Sequence, residues 1–157
     1  MIELLKRLAS RHDNVRGYIN RWILVDLSWL TVRLHEFTGP DPDLFLHDHP
    51  WFNVSLILKG GYVEALPASP IPAWQLTPDR GFVEAVNLFP RKPGSVIVRR
   101  VLSRHKVWSL LDGSCWTLYI SFRRTNAWGF YKPGGKVEAG TYFAASQHSH
   151  GKDGVAR

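Results

Sequence analysis

Short strand-like segments separated by turn residues fill most of this sequence, and they constrain its fold more than any other feature. In these segments Val, Leu, Ile and aromatic residues alternate with polar ones. The clearest are Trp22–Asp26, Trp29–Phe37, Val54–Leu58, Tyr62–Leu66, Gly81–Leu88, Ser95–Leu102, Lys106–Leu111, Cys115–Phe122 and Trp128–Tyr131. Strands spaced about ten residues apart, with Gly, Pro and Asp between them, indicate an antiparallel sandwich or barrel. We therefore predict an all-β domain.

The two ends of the chain differ from this pattern. Apolar residues at helical spacing predict a short amphipathic helix over residues 1–12. We divide the chain into an N-terminal helical segment at residues 1–20, a barrel at 21–145 and a polar tail at 146–157. Gly, Ser and charged residues dominate that tail, so we expect it to be mobile.

Turn residues predict how neighbouring strands connect. Gly60-Gly61 and Asp112-Gly113 each lie between two strand-like segments, and both pairs are typical of β-hairpin turns. Four prolines fall within residues 67–80. Because proline removes a backbone donor, we predict a loop there that borders the mouth of the barrel.

Size and composition narrow the class of protein. The chain has 157 residues, which suits one domain, and Cys115 is its only cysteine, so no internal disulfide can form. No apolar run approaches the roughly 18 residues that a membrane span needs. We expect a cytoplasmic protein that does not bind a membrane.

A net charge of +7 makes the chain basic, and residues 91–106 carry six Lys or Arg and no acid. Such a stretch can attract phosphate, nucleotides or nucleic acid. Strand alternation, however, sends Arg99 and Arg100 to opposite faces, so these charges are interpreted mainly as solvated. The pattern contains no recognition helix, and we predict no sequence-specific binding of nucleic acid.

His47 and His49 are the first candidates for a functional site. In extended backbone their side chains project to one face while Asp48 projects to the other. Two imidazoles placed in this way can bind one metal ion. The pair alone is equally compatible with two half-buried histidines that are satisfied by hydrogen bonds.

The spacing around this pair resembles the two motifs of the cupin superfamily. Gly39 precedes the histidines, Asn53 stands where the family has Glu, and Gly60 follows after six intervening residues. Pro93-Gly94 and then His105 resemble the second motif. The resemblance covers roughly residues 30–125, and the stretch His47–Asn53 is also similar to uncharacterised, often phage-borne cupins. It implies a double-stranded β-helix, or jelly-roll barrel, with a divalent metal on His47, His49 and His105.

Asn53 departs from the cupin pattern. A neutral amide in place of Glu leaves a neutral shell of ligands, which suits metals that prefer imidazole over hard Mg or Mn. Two roles are open for Asn53. It could be a fourth metal ligand, or it could hydrogen-bond a bound water or substrate as support. We favour the supporting role.

Further inward-facing candidates follow from strand alternation. Arg99 or Arg100 must face the barrel interior, where an arginine would bind a carboxylate or phosphate, and Tyr62 is a second candidate for orienting a substrate. His35 could also point inward, although a core or surface histidine is the simpler interpretation. His148 and His150 form another pair, but no third partner accompanies them.

The resemblance leaves the activity open. Three-His cupins include non-haem iron dioxygenases, so the most concrete expectation is an Fe(II) enzyme that acts on a small, possibly anionic molecule, with Zn or Ni as alternatives. A sugar or nucleotide isomerase or epimerase that uses the metal as a Lewis acid is the second. A non-catalytic ligand-binding or phage-associated module is the third. We also expect a homodimer.

Overall fold

The computed structural model describes residues 1–150, with side chains as far as residue 145. Two helices and thirteen strands occur in this part of the chain. In order they are α1 Ile2–Leu8, β1 Arg11–Val15, β2 Ile19–Asp26, β3 Leu30–Phe37, β4 Asn53–Lys59, β5 Tyr62–Pro67, β6 Trp74–Thr77, β7 Gly81–Glu84, β8 Val86–Arg91, β9 Val96–Arg99, β10 Lys106–Leu110, β11 Cys115–Phe122, β12 Gly129–Lys132, β13 Gly135–Glu138 and α2 Ala139–His150.

The strands form two main antiparallel sheets. The larger has six strands in the order β1-β2-β3-β11-β4-β9, and the smaller has three in the order β10-β5-β8. Two hairpins, β6-β7 and β12-β13, lie outside them. This arrangement confirms the prediction of an all-β jelly roll with a short N-terminal helix. None of the described helices is long and apolar enough to cross a membrane.

The two predicted hairpins at Gly60-Gly61 and Asp112-Gly113 are wrong. β4 and β5 do not pair with each other, because β4 belongs to the six-stranded sheet and β5 to the three-stranded one. β10 and β11 are divided in the same way. Both turns therefore carry the chain from one sheet to the other. Turn chemistry indicates where a chain reverses, whereas the partner of each strand is set by tertiary packing.

The predicted loop at residues 67–80 contains a strand. Trp74–Thr77 pairs with Gly81–Glu84 in a separate hairpin. Three of the four prolines precede this hairpin and Pro78 lies in its turn, so none of them interrupts the new strand. At the N-terminus the helix stops at Leu8 rather than at residue 12. Arg11–Val15 then forms an edge strand on β2.

Helix α2 was not predicted. It covers Ala139–His150, and its residues contact β12 and β13. The rings of Tyr142 and Phe130 stack with centroids 4.1 Å apart, which anchors the first turns of the helix. The polar tail was predicted to be mobile over residues 146–157. Residues 146–150 belong to α2, and residues 151–157 lie outside the described residues.

A small apolar core fills the space between the two sheets. Ile57, Tyr62, Ile97, Val107 and Cys115 form one buried cluster, with strands of both sheets contributing. Tyr62 and Val107 also line a cavity of about 240 Å³ that opens beside this cluster. The apolar core therefore borders one end of the cavity in which the candidate site lies.

Candidate metal centre

His47 and His105 are brought together by their own backbones. The N–H of His47 donates to the carbonyl of His105 over 3.0 Å, and the N–H of His105 donates back over 2.9 Å. This isolated antiparallel bridge joins the extended segment before β4 to the segment that leads into β10. Residues 58 positions apart are thus held side by side without depending on their side chains.

The three histidines that the sequence singles out converge at one point. The candidate ligand atoms of His47, His49 and His105 all lie within 4.8 Å of one another. The Nε2 atoms of His49 and His105 are 2.9 Å apart. With metal–nitrogen bonds near 2.0–2.1 Å, two ligands of one ion stand at most about 4.2 Å apart. The His49–His105 pair already meets this limit, and a separation of 4.8 Å would have to shorten by about 0.6 Å when an ion binds. This is the group of three possible ligands that the described residues provide.

Asp48 faces away from the two histidines that flank it. Its side chain is fully buried and accepts hydrogen bonds from the Gly129 N–H at 3.0 Å and the Tyr131 hydroxyl at 2.9 Å. The Lys136 ammonium forms an ion pair with Oδ2 of Asp48 at 2.5 Å, the same oxygen that accepts from Tyr131. Asp48 therefore ties the histidine segment to the β12-β13 hairpin.

Two buried carboxylates stand behind the histidine rings. Glu64 Oε1 lies 3.3 Å from Nδ1 of His105, and Asp41 Oδ2 lies 3.9 Å from Nδ1 of His47. Asp41 also accepts the Val107 N–H over 2.6 Å, which fixes its position. A carboxylate at Nδ1 favours a proton there and leaves Nε2 free, the arrangement in which histidine binds metals.

Burial keeps the three imidazoles neutral. It lowers the pKa of His105 to about 3, with the Arg99 charge acting in the same direction. Burial likewise lowers the pKa of His47, and it lowers that of His49 together with the nearby His105 and His47 rings. Neutral imidazoles are the form that binds a cation. The donor set, its spacing and its protonation all fit a divalent ion.

Glu64 is a fully buried carboxylate behind the His105 ring. Burial alone would raise its pKa, but a hydrogen bond to His105 and the Arg99 charge outweigh burial and hold that pKa well below its usual range. Arg91 Nε donates to its Oε2 over 2.8 Å. Arg99 forms a second ion pair with Oε1. The carboxylate thus remains ionised beside the histidines.

The structure separates the two arginines that the sequence left as alternatives. Arg99 is buried and lines the cavity, whereas Arg100 is exposed. Tyr62 is also buried, and its hydroxyl lies 3.4 Å from Nη2 of Arg99. Arg99 and Tyr62 therefore line the cavity together, with Glu64 buried behind Arg99.

Asn53 lies at the start of β4 on the inward face that it shares with Ser55 and Ile57. It is fully buried, and its Nδ2 lies 3.4 Å from the Trp51 carbonyl. Its Oδ1 has no hydrogen-bond partner among the described residues. Ser55 lines the cavity, but Asn53 is not among the lining residues. Its role as a ligand or a support stays a prediction.

Part of the cavity wall consists of residues that the sequence does not single out. Arg33 and Asp41 are two of them, and His35, for which a core or surface position is the simpler interpretation of the sequence, lines the cavity too. The alternation of β3 could have revealed Arg33, because it shares a face with His35. His148 and His150 lie outside the residues whose side chains are described.

Comparisons with known proteins establish the fold. No family of known proteins matches the sequence, and no curated protein matches it either. Among solved structures, the iron(II) form of HppE has 13% identity and a TM-score of 0.54, covering 74% of this chain and 57% of that one. A protein described as a candidate mannose-6-phosphate isomerase from Ralstonia eutropha JMP134 has 15% identity and a TM-score of 0.50, covering 74% and 94%. A cupin superfamily protein from Desulfitobacterium hafniense DCB-2 has 13% identity and a TM-score of 0.47, covering 71% and 83%.

This chain shares its jelly-roll fold with the iron(II) HppE structure and the Ralstonia protein. Its three-histidine cluster stands where the two motifs of the sequence predict it, on the segment before β4 and the segment before β10. The resemblance of those motifs to cupins implies a metal ion, and the residues present fit one. At such low identity the solved structures support the fold alone.

Proposed function

We propose that this cupin is a small-molecule metalloenzyme whose divalent ion, Fe(II), is held by His47, His49 and His105. The observation that carries the proposal is the meeting of the three ligand atoms within 4.8 Å at the wall of a cavity. The iron(II) form of HppE, similar in fold at a TM-score of 0.54, supports the choice of iron. The most concrete activity is that of a dioxygenase.

The residues of the chain would divide the work. The three imidazoles hold the ion, while Glu64 and Asp41 keep the rings of His105 and His47 in the orientation that presents Nε2. Bound Fe(II) would supply the activation of O₂. Three ligands leave further positions open to a substrate and a co-substrate.

Tyr62 and Arg99 would position the substrate. Both line the cavity, and both are buried. Arg99 is ion-paired with Glu64, but Arg91 shares the same carboxylate, so one of the two positive charges stays unmatched. The remaining N–H groups of Arg99 and the Tyr62 hydroxyl would act as hydrogen-bond donors to the substrate.

A second candidate is an isomerase that uses the ion as a Lewis acid. The protein from Ralstonia eutropha, described as a candidate mannose-6-phosphate isomerase, supports it at a TM-score of 0.50. Four arginines on the cavity wall also suit a phosphorylated substrate. A non-catalytic binding module is the third candidate. It would bind a ligand in the cavity and would hold no ion with positions open to further ligands.

Nitric oxide distinguishes these candidates, because it binds ferrous ions that have an open position. The untagged protein would be loaded with Fe(II) without oxygen, exposed to nitric oxide and measured by electron paramagnetic resonance. We expect the high-spin iron–nitrosyl signal in the parent protein and its loss in His105→Ala. The variant His12→Ala, changed at an exposed histidine, should behave as the parent.

An iron-loaded parent without the nitrosyl signal would contradict an oxygen-activating centre. If the purified protein contains stoichiometric zinc and rejects iron, the Lewis-acid candidate replaces the dioxygenase. If no divalent ion binds, the enzymatic proposal fails.

A further inference from the structure

Arg33 enters the cavity from the middle of β3. Arg33, His35 and Phe37 alternate along this strand, and all three line the cavity. Arg33 is half-buried, and Nη1 donates a hydrogen bond to the Ser121 hydroxyl over 3.1 Å. A guanidinium at this position is partly removed from water while it faces an open volume.

Arg33 differs from the other arginines of the cavity in its partners. Arg21 is held by Asp13 through two hydrogen bonds of 2.7 and 2.9 Å, and Arg99 is ion-paired with Glu64. Arg124 is exposed and donates to a backbone carbonyl. Within the described part of the chain, Arg33 forms no ion pair within 4 Å.

Arg33 lies nearer to positive than to negative charge. Burial and the positive charge of Arg21 lower the pKa of Arg33, and the more weakly acting carboxylates of Asp26 and Asp13 offset them only in part. Arginine nevertheless stays charged under all ordinary conditions. An anion beside the guanidinium would relieve the effects of burial and of Arg21.

His35 provides a second, independent polar group on the same wall. The residue is 7% exposed and lines the cavity, and its Nε2 has no hydrogen-bond partner among the described residues. Its ring stacks on Tyr119 with centroids 4.8 Å apart, which fixes its orientation. Buried polar atoms are nearly always hydrogen-bonded, so this Nε2 at the cavity wall leaves room for a bond to a water molecule or a ligand.

One aromatic ring separates Arg33 from the three-histidine cluster. The Arg33 guanidinium carbon lies 6.0 Å from the centre of the Trp51 ring. The Trp51 ring in turn stacks with His49, with centroids 6.3 Å apart. Trp51 Nε1 donates to the Tyr119 hydroxyl over 2.5 Å, so the ring is held in place. A small molecule in the cavity can therefore contact Arg33 at one end and the three-histidine cluster at the other.

We propose that Arg33 and His35 form an oxyanion subsite that binds the carboxylate or phosphate group of a small aromatic or apolar ligand. The rings of Phe37, Trp51, Tyr62 and Tyr119 on the cavity wall suit the apolar part of that ligand. The subsite itself stands on Arg33 and His35. Only the statement that the other end of the ligand faces a metal ion rests on the proposed function.

The chemistry of the two groups favours this ligand. A guanidinium binds a carboxylate or phosphate through two parallel N–H bonds, and charge-assisted bonds of this kind are about twice as strong as neutral ones. A neutral imidazole with its proton on Nε2 donates a further bond. A ligand of the same shape that carries a neutral amide in place of the carboxylate has no charge to pair with the guanidinium.

Calorimetry with three matched probes tests the subsite in the full chain. Benzoate carries a carboxylate, phenylphosphonate a phosphate-like group and benzamide a neutral group on the same ring. Each probe would be titrated into the zinc-loaded protein and into the metal-free protein. We expect the better of the two anions to bind at least about 10-fold more tightly than benzamide. The order of the two anions tells whether the natural group is a carboxylate or a phosphate.

Substitution of Arg33 assigns the binding to this side chain. Arg33→Met keeps the length of the side chain and removes the charge, and should weaken anion binding about 10- to 100-fold while leaving benzamide binding unchanged. Arg33→Lys restores the charge without the planar fork and should recover part of it. Arg100→Met, at an exposed arginine outside the cavity, is the control for net charge and should bind as the parent.

The outcomes separate this inference from the proposed function. Equal binding of anions by the parent, Arg33→Met and Arg100→Met would overturn the subsite, as would binding of neither anion. If Arg33→Met fails to fold, Arg33→Lys provides the test. The subsite would be overturned if Arg33→Lys bound both anions and benzamide with the same affinities as the parent. Anion binding that depends on Arg33 in a protein that takes up no metal would support the subsite while the proposed function fails.

Discussion

Asp48 shows how one residue between two candidate ligands can serve the site without touching a ligand. It lies on the opposite side of the backbone from His47 and His49, and three donors surround its buried carboxylate. Those donors belong to the β12-β13 hairpin. The carboxylate thus fixes the segment that carries both histidines.

Replacement of Asp48 should therefore destabilise the fold. Asp48→Ala removes the fully buried carboxylate of an ion pair whose Lys136 side chain is 23% exposed. Loss of one partner from a fully buried pair typically costs about 3–5 kcal/mol, and the access of Lys136 to water places the expected cost at or below the lower end, about 2–3 kcal/mol. Urea denaturation would measure the free energy of unfolding, with the exposed Asp112→Ala as control. Equal stability of both variants would contradict this role.

Asn53 is the residue at which this chain departs from the cupin pattern, and a single substitution tests its role. We expect Asn53→Asp to leave the affinity for Zn(II) and Fe(II) unchanged and to alter small-molecule binding, because a supporting residue does not contact the ion. A fourth ligand would behave differently, since the added charge would tighten divalent binding. Calorimetric titration measures both. Asn87→Asp, at an exposed position, controls for net charge.

At the scale of elements, the turns were located correctly and their partners were not. Gly60 has a φ of +71°, in the left-handed region that glycine favours, so the Gly60-Gly61 turn could be predicted from the sequence. The close approach of Gly60 to Ser114, which lies in the other turn between the two sheets, could not be predicted from the sequence. A two-residue turn has the same composition whether the next strand pairs locally or crosses to another sheet.

Gly60 and Gly113 form a matched pair for testing this packing. A Cβ at Gly60 would stand 2.0 Å from the Ser114 carbonyl oxygen and would sit on a left-handed backbone. A Cβ at Gly113 would meet nothing within 4 Å. We expect Gly60→Ala to lower the free energy of unfolding by more than about 1 kcal/mol, and Gly113→Ala to leave it nearly unchanged. Thermal denaturation of both would show it, and equal midpoints would contradict it.

Helix α2 and strand β1 mark the limit of local patterns. The segment Ala139–His150 has small and polar residues without an apolar stripe, so its sequence does not predict a helix. Its anchoring comes from Tyr142 on the Phe130 ring, a tertiary contact. β1 likewise exists because Arg11–Val15 has an open edge of β2 beside it.

At the scale of the whole molecule, the centre of the candidate site was predictable and its surroundings were not. His47 and His49 follow from spacing, and His105 from its place after Pro93-Gly94. Asp41 and Glu64 approach the rings only because the sheets fold over one another. The alternation of residues along a single strand carries no information about contacts between residues of different sheets.

Buried neutral histidines also predict how the whole fold responds to pH. Burial, with the charges of Arg21 and Arg33, lowers the pKa of His35 to about 3, against 6.5 when unfolded. The unfolded chain therefore binds more protons between these values, and stability is lost as pH falls from about 6.5 toward 3. One such histidine contributes at most about 1.4 kcal/mol per pH unit.

His35→Phe tests this dependence because it keeps an aromatic ring and removes the titrating group. Unfolding free energies of the metal-free parent and variant would be measured by urea at pH 7 and pH 5. We expect the variant to lose less stability on acidification than the parent. Equal losses in the two proteins would mean that His35 already takes up its proton in the folded state.

The affinity of the untagged protein for divalent metal tests the central claim of a three-histidine centre most directly. Fe(II) and Zn(II) would be titrated calorimetrically into the parent, His105→Ala and the exposed-site control His12→Ala. We predict one ion per chain in the parent and the control. Affinity in His105→Ala should fall by more than about 100-fold, beyond the effect of losing a mere supporting partner. Binding of no ion by the parent, or equal binding by all three proteins, would contradict the account.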